Sequence, residues 1–202
     1  MSNIYKIGGI AAFINAVIAI ASLSVALGLI GPAALTDSTK LVELAIHNPA
    51  PLVIQDLLKF VSAIVAVVLI AVLFSWLRND APKRMLFAIV FGVLAVLCLV
   101  SNASLSLFAT SQAAQLTSIT GYQVNSMIGL LGMATLFLNG IWYLLVSSSA
   151  LHSNRLPKPL SYLGLGMGIL SLLPPLGILV LLLSVVWSVW LGQVLLKGED
   201  RA

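Results

Sequence analysis

Residues 61–73 read VSAIVAVVLIAVL, from Val61 to Leu73. The stretch holds one hydroxyl, no charge and no alternation of polar with apolar positions. A strand of a membrane barrel alternates, because one face meets lipid and the other the lumen. Without that alternation, a run this apolar is a helix in hydrocarbon, where every backbone N–H and C=O must be paired within the segment. Followed outward to Pro51 on one side and Arg78 on the other, the run covers 52–77, with Asp56 and Lys59 near its start. That exceeds the roughly 20 residues that cross about 30 Å of hydrocarbon at about 1.5 Å per residue.

The whole chain is built the same way. Of its 202 residues, 60 % are apolar and 8 % charged, against roughly 45–50 % and about 25 % in soluble domains. Six apolar segments are expected, at 7–31, 52–77, 85–109, 123–150, 159–174 and 176–196. The fold class is an all-α, polytopic transmembrane bundle of six helices, with 1–202 as one domain. The first segment is longer than the about 7–15 residue core of a signal peptide, so it reads as a retained anchor. The fifth is short, and Pro174-Pro175 divides it from the sixth. Two prolines cannot both continue a regular helix, so they mark a hairpin corner, with a kinked or re-entrant fifth segment as the alternative.

Charge orients the bundle. The net charge is +4, from ten Lys and Arg against six Asp and Glu. Six crossings place Lys6, Arg78, Lys83, Arg84, Arg155, Lys158, Lys197 and Arg201 on one side, and only Lys40 and Lys59 near the other. The bias places both termini in the cytoplasm. Cations in short clusters between apolar runs point to membrane orientation, not to nucleic acid. On the outer side, the loop 31–51 offers Asp37 as a cap and apolar Leu41, Leu44 and Ala45 at helical spacing, stopped by Asn48-Pro49. A short interfacial helix is expected there. The loop 110–122 has no charge and is rich in Ser, Thr and Gln.

Residues 156–198 read LPKPLSYLGLGMGILSLLPPLGILVLLLSVVWSVWLGQVLLKG. A Leu-Pro start, a Gly-rich helix, a Pro-Leu-Gly corner and a last helix with Trp ending in Gly-x-x-Leu-Leu follow in order. With the Ile-Gly-Gly at 7–9, this resembles the bacterial membrane family called domain of unknown function 4386. The resemblance implies a six-helix, multi-pass protein of the bacterial inner (cytoplasmic) membrane. It brings no activity and no catalytic residues.

Two stripes stand out. The first span places Gly8, Ala12, Asn15, Ala19, Ser22 and Ala26 at alternating spacings of four and three, and the fourth places Asn125, Gly129, Gly132, Leu136, Asn139 and Tyr143 likewise. Small side chains let helices approach closely in lipid, and amides bond across the contact. Packing is the favoured role; a polar path between the two spans is the functional one. Gly164 and Gly168 form a GxxxG pair for close packing, within the bundle or in a dimer. Asp56 and Lys59 share a helix face at i,i+3 and are read as an outer ion pair, with a gate or ligand site as the functional alternative. Glu43 and His47 lack the third ligand that zinc requires. Cys98 has no cationic neighbour in sequence to activate it. Trp76, Trp142, Trp187 and Trp190 suit interfacial belts, Trp142 and Trp190 equally packing.

No metal or cofactor site is expected, and no acids or bases converge as an enzyme would need. The favoured function is a non-catalytic accessory, scaffold or lipid- or partner-binding subunit. Its partners are the bilayer and a membrane protein or a second copy of the chain. The alternative is a small-solute transporter or channel, with Asn15, Ser22, Asn102, Asn125, Asn139 and Gln193 as the supply of polar groups.

Overall fold

The computed structural model describes residues 2–113, 115 and 118–197. Among them there is helix and loop but no strand. Helix α1 covers Ser2–Ser24 and continues as a π-helical turn, Val25–Ile30, that ends at Gly31. Gly31 has φ 84°, a conformation in which a Cβ would be strained. Two short helices follow, α2 (Pro32–Thr36) and α3 (Ser38–His47). The Asp37 carboxylate accepts from Thr39 N at 2.9 Å and Asn48 closes the far end of α3, as the 31–51 loop led one to expect. The long helices are α4 (Ala50–Leu77), α5 (Pro82–Ser111), α6 (Ser118–Ser153) and α8 (Gly177–Lys197), with the short α7 (Lys158–Leu170) before the last. Prolines open α4, α5 and α7, where the missing N–H would have had no helical partner.

Five helices are long and apolar enough to cross a membrane: Asn3–Ile30, Ala50–Leu77, Pro82–Ser111, Thr120–Ser153 and Pro174–Lys197. The fifth expected segment differs. α7 ends at Leu170, after 13 residues, or about 20 Å of helix. Leu173 turns extended, at φ −112° and ψ 94°, as the residue before a proline prefers. Pro174–Leu176 then makes one 3₁₀ turn into α8. The diproline is thus a hairpin corner.

The six principal helices pack in cyclic order: α1 on α4, α4 on α5, α5 on α6, α6 on α7, α7 on α8, and α8 back on α1. Their ends register. A Cβ on Gly8 would meet Val72 of α4 at 2.6 Å and Leu195 of α8 at 3.2 Å. Arg155, after α6, bonds Asp80, before α5, at 3.0 Å. These contacts gather Lys6, Arg78, Lys83, Arg84, Arg155, Lys158 and Lys197 at one end of the ring, all exposed; Arg201 lies outside the described residues. This is the cationic end. α2 and α3 cap the opposite, far end, as α3 packs on α5 and the π turn packs on α4.

The half nearer the cationic end is filled by fully buried Leu73, Leu77, Met85, Leu160, Leu191 and Leu195. Outside, Ile7, Ile10, Ile14 and Val17 of α1 and Ile64 and Val67 of α4 are exposed, which is the surface lipid would cover. The stripe Gly8, Ala12, Asn15, Ala19 lies on the other side of α1, buried or half-buried. Gly164 and Gly168 serve packing within the chain: a Cβ on Gly164 would collide with Ser147 Oγ of α6, and one on Gly168 would meet Leu144 at 2.6 Å. Trp187 is 1 % and Trp142 6 % exposed, so neither sits at a membrane surface as a belt would. Trp76 pairs edge-on with Tyr5 near the cationic end, ring centroids 5.9 Å apart.

Candidate functional site

Helices pack closely in the cationic half because glycines and alanines face one another. Toward the far end larger and polar side chains replace them, and the ring opens. A cavity of about 230 Å³ lies there, lined by α1, α4, α5, α6 and α8 and by Ser171 of the turn that follows α7. Asn15, Ala19 and Ser22 come from α1, Ser62 and Ala66 from α4, Leu136, Asn139 and Tyr143 from α6, and Ser184 and Trp187 from α8. Asn15, Ser22, Asn139 and Tyr143, picked from the two stripes, therefore meet around one space. α1 and α6 face each other across it, each packed on other neighbours.

The polar groups fall into two kinds. Asn15 Nδ2 donates to Ser188 Oγ of α8 at 2.9 Å. Ser171 and Ser184 donate to carbonyls of their own segments, Met167 O at 2.8 Å and Leu181 O at 2.7 Å. The side chains of Ser22, Ser62, Asn139 and Tyr143 have no hydrogen-bond partner among the described residues, and all four are half-buried. The floor, toward the cationic end, is aromatic. Tyr143 and Trp187 meet edge-on at 5.2 Å and Trp142 and Trp187 at 6.2 Å.

Above the cavity stands a charged group. Lys59 Nζ donates to Asp56 Oδ1 at 2.7 Å and to Asn102 Oδ1 of α5 at 2.9 Å, and Asn102 Nδ2 donates to Ile128 O of α6 at 2.7 Å. The expected ion pair is present and mostly buried: the side chains of Lys59 and Asp56 are 25 % and 2 % exposed. Beyond it, at the far end, a second space of about 550 Å³ opens between α3, α5 and α6.

The second stripe divides. Leu136, Asn139 and Tyr143 line the cavity; Asn125 lines the far-end groove instead. Gly129 has nothing within 4 Å of where its Cβ would stand, and a Cβ on Gly132 would lie 3.6 Å from Asn102 Nδ2. Gln193 is exposed, away from any path. Sequence reasoning missed Ser62, Ser184 and Trp187 as lining residues and Ser188 as the partner of Asn15. Serines at 62, 184 and 188 interrupt otherwise apolar runs, and that was the available signal. Among the described residues no three of His, Cys, Asp and Glu come together as a metal site would need; Cys98 is a half-buried free thiol.

The family described as Domain of unknown function (DUF4386) matches residues 7–198. The chain belongs to this family. The match takes in every principal helix of this DUF4386 protein except the first residues of α1, so the cavity and the ion pair lie wholly within it. No curated protein and no solved structure matches the chain.

Proposed function

We propose that this DUF4386 protein binds a small, uncharged, polar solute in the cavity and passes it across the bacterial inner membrane. One observation carries the reading: Ser22, Ser62, Asn139 and Tyr143 surround a 230 Å³ space at spanning depth with no hydrogen-bond partner among the described residues. Each polar group left unpaired in an apolar interior costs about 1–3 kcal/mol. An occupant able to bond removes that cost, whether water or a solute. The space exceeds the roughly 150 Å³ that holds benzene in an engineered apolar cavity. Apart from the phenol of Tyr143 its lining has no ionisable group, which disfavours a charged solute in a medium where bare charge is costly.

In the same reading the chain crosses six times with both termini in the cytoplasm. α7 and its diproline corner supply the short fifth crossing, and the seven cations at one end of the ring support the orientation. Cysteines placed at Asp80 and Asn154 are then labelled only from the cytoplasmic side and one at Tyr122 only from outside. Labelling of the Asp80 site from outside overturns the topology.

Transport is tested in proteoliposomes by stopped-flow swelling in glycerol or urea. The expected result is flux above protein-free vesicles, lost in Asn139→Leu with melting unchanged or raised. Flux that ignores this substitution counts against the cavity as the path.

An accessory role keeps one observation in its favour, the far-end groove. It is larger than the cavity and walled mainly by apolar side chains, among them Leu41, Val42, Leu52 and Ile128. On that reading the groove holds a lipid tail or an apolar segment of another membrane protein, and the folded chain moves no solute.

A further inference from the structure

The ion pair lies between the two spaces. On α4, Lys59 is one turn beyond Ser62 of the cavity, and Asp56 is one turn short of Leu52 of the groove. On α5, Asn102 is one turn beyond Leu99 of the cavity and one turn before Ser106 of the groove. Residues three and four apart share a helix face, so Asp56, Lys59 and Asn102 stand on the faces of α4 and α5 that line the groove at one end and the cavity at the other. Gln55 is on this face of α4 too, four residues before Lys59 and seven before Ser62.

Two acceptors at this level lack donors. Asp56 is 1 % exposed, and its Oδ2, like Gln55 Oε1, is buried without a hydrogen-bond partner. Buried polar atoms are nearly always paired. Lys59 has three donors, of which two are engaged with Asp56 and Asn102. The unmet need is thus for N–H or O–H groups. The linkage is also built to part without separating charge. Asp56 and Lys59 share α4, and among the described residues the one bond from Lys59 to another helix is the 2.9 Å contact with Asn102.

We propose that Gln55, Asp56, Lys59 and Asn102 form a second polar site, the outer throat of the cavity, which recognises the N–H or O–H groups of an entering amide or polyol. The proposal rests on the cavity reading above and names the class of solute. When α4 moves away from α5, the Lys59–Asn102 bond breaks, the ion pair stays intact, and the solute's donors reach Asp56 Oδ2 and Gln55 Oε1.

The test uses the full chain with Ser62→Cys as reporter and Cys98→Ser to remove the native thiol. Small cationic and anionic methanethiosulfonates are added from the far-end side of reconstituted vesicles. Asp56→Asn leaves Lys59 uncompensated and is expected to raise the anionic-to-cationic rate ratio by about fivefold or more. The neutral double variant Asp56→Asn/Lys59→Gln returns the ratio toward the parent value. Asn102→Ala speeds both reagents. Urea slows the reaction in the parent more than equimolar tetramethylurea, which accepts but cannot donate. A ratio unmoved by Asp56→Asn, with the reporter reactive, overturns the throat and leaves the cavity reading standing. Equal protection by the two ureas overturns recognition of donors. A reporter inert in every variant means a sealed cavity, and both readings fall. If Asp56→Asn does not fold, Lys59→Gln carries the test with the opposite sign. Failure of both to fold makes the pair scaffold and overturns the proposal.

Discussion

The two halves of the helix ring solve opposite problems with the same composition. Toward the cationic end, backbones touch: a Cβ on Gly192 would lie 3.1 Å from Gly9 O, and one on Gly9 3.2 Å from Gly192 O. Leu73, Leu77, Met85 and Leu191 fill what remains. Toward the far end the helices separate around 230 Å³ of space, the Asn139 amide and the hydroxyls of Ser22, Ser62 and Tyr143 line it without a partner among the described residues, and an ion pair stands above. Between the halves lie Trp142, Tyr143 and Trp187, edge against face. The difference teaches that close packing and open polar space are separated along the axis of the ring. A dry plug needs close contact and tolerates no added atoms; a polar chamber needs groups held back from one another.

The largest expected effect lies where α7 packs on α6. Leucine at Gly164 or Gly168 must displace Ser147 or Leu144, and both positions face the packed side of α6. Overpacking costs about 1–3 kcal/mol, and more where backbone blocks relaxation; Gly140 O stands 2.9 Å from a Cβ on Gly168. Both variants should melt well below the parent in detergent or fail to fold. Gly166, with nothing within 4 Å of its Cβ position, should accept alanine without loss. If Gly164→Leu melts like the parent, the packing of α7 on α6 is not as close as its contacts describe.

Next in size is Lys59→Met. It removes the one partner, among the described residues, of a carboxylate that is 1 % exposed. Breaking one side of a buried pair typically costs about 3–5 kcal/mol. The double variant Asp56→Leu/Lys59→Met should recover much of that, since replacing both charges is often neutral or stabilising. The readout is the melting temperature of the two variants side by side. A single variant as stable as the parent would mean that water reaches Asp56, and the far half would be wetter than its burial implies.

How much of this was legible in the sequence follows from what lipid does to the code. Helix positions were, because apolar runs, opening prolines and the Asp37 cap act locally. The side of α1 that carries Asn15 was also legible, since small residues recur at three and four. The inner side of α4 was not. Ala66 and Leu69 line the cavity while Ile64 and Val67 meet the outside. Both environments favour the same apolar side chains, so hydropathy cannot sort them. Serines marked breaks in the apolar runs but not the direction they face. Ser171 and Ser184 bond carbonyls of their own segments, so their presence in a span does not tell which way they face. The expected six passes met a 13-residue α7, because hydropathy measures a run's polarity and does not see where a turn before proline ends the helix.

The smallest stability effect is the sharpest probe of the chamber, because two asparagines on its wall should respond with opposite sign. Asn15 donates to Ser188 at 2.9 Å, a bond between spans worth about 0.6–2 kcal/mol. Leucine there loses the bond and strands the Ser188 hydroxyl, which is fully buried, so stability should fall by that order. Asn139 bonds no described residue. An amide left without a partner in an apolar interior costs about 1–3 kcal/mol, which an occupant offsets. Leucine there removes the unpaired group and fills part of the space, so melting in detergent should stay level or rise. Adding glycerol sharpens the contrast. A solute that binds only the folded state raises stability in proportion to the logarithm of its concentration. The parent should therefore gain from glycerol more than Asn139→Leu does, whereas Asn15→Leu, whose Ser22, Ser62 and Tyr143 remain open, should keep most of the gain. Equal losses at Asn15 and Asn139, with equal glycerol responses, would make the asparagines plain packing residues and the two halves of the ring alike in kind.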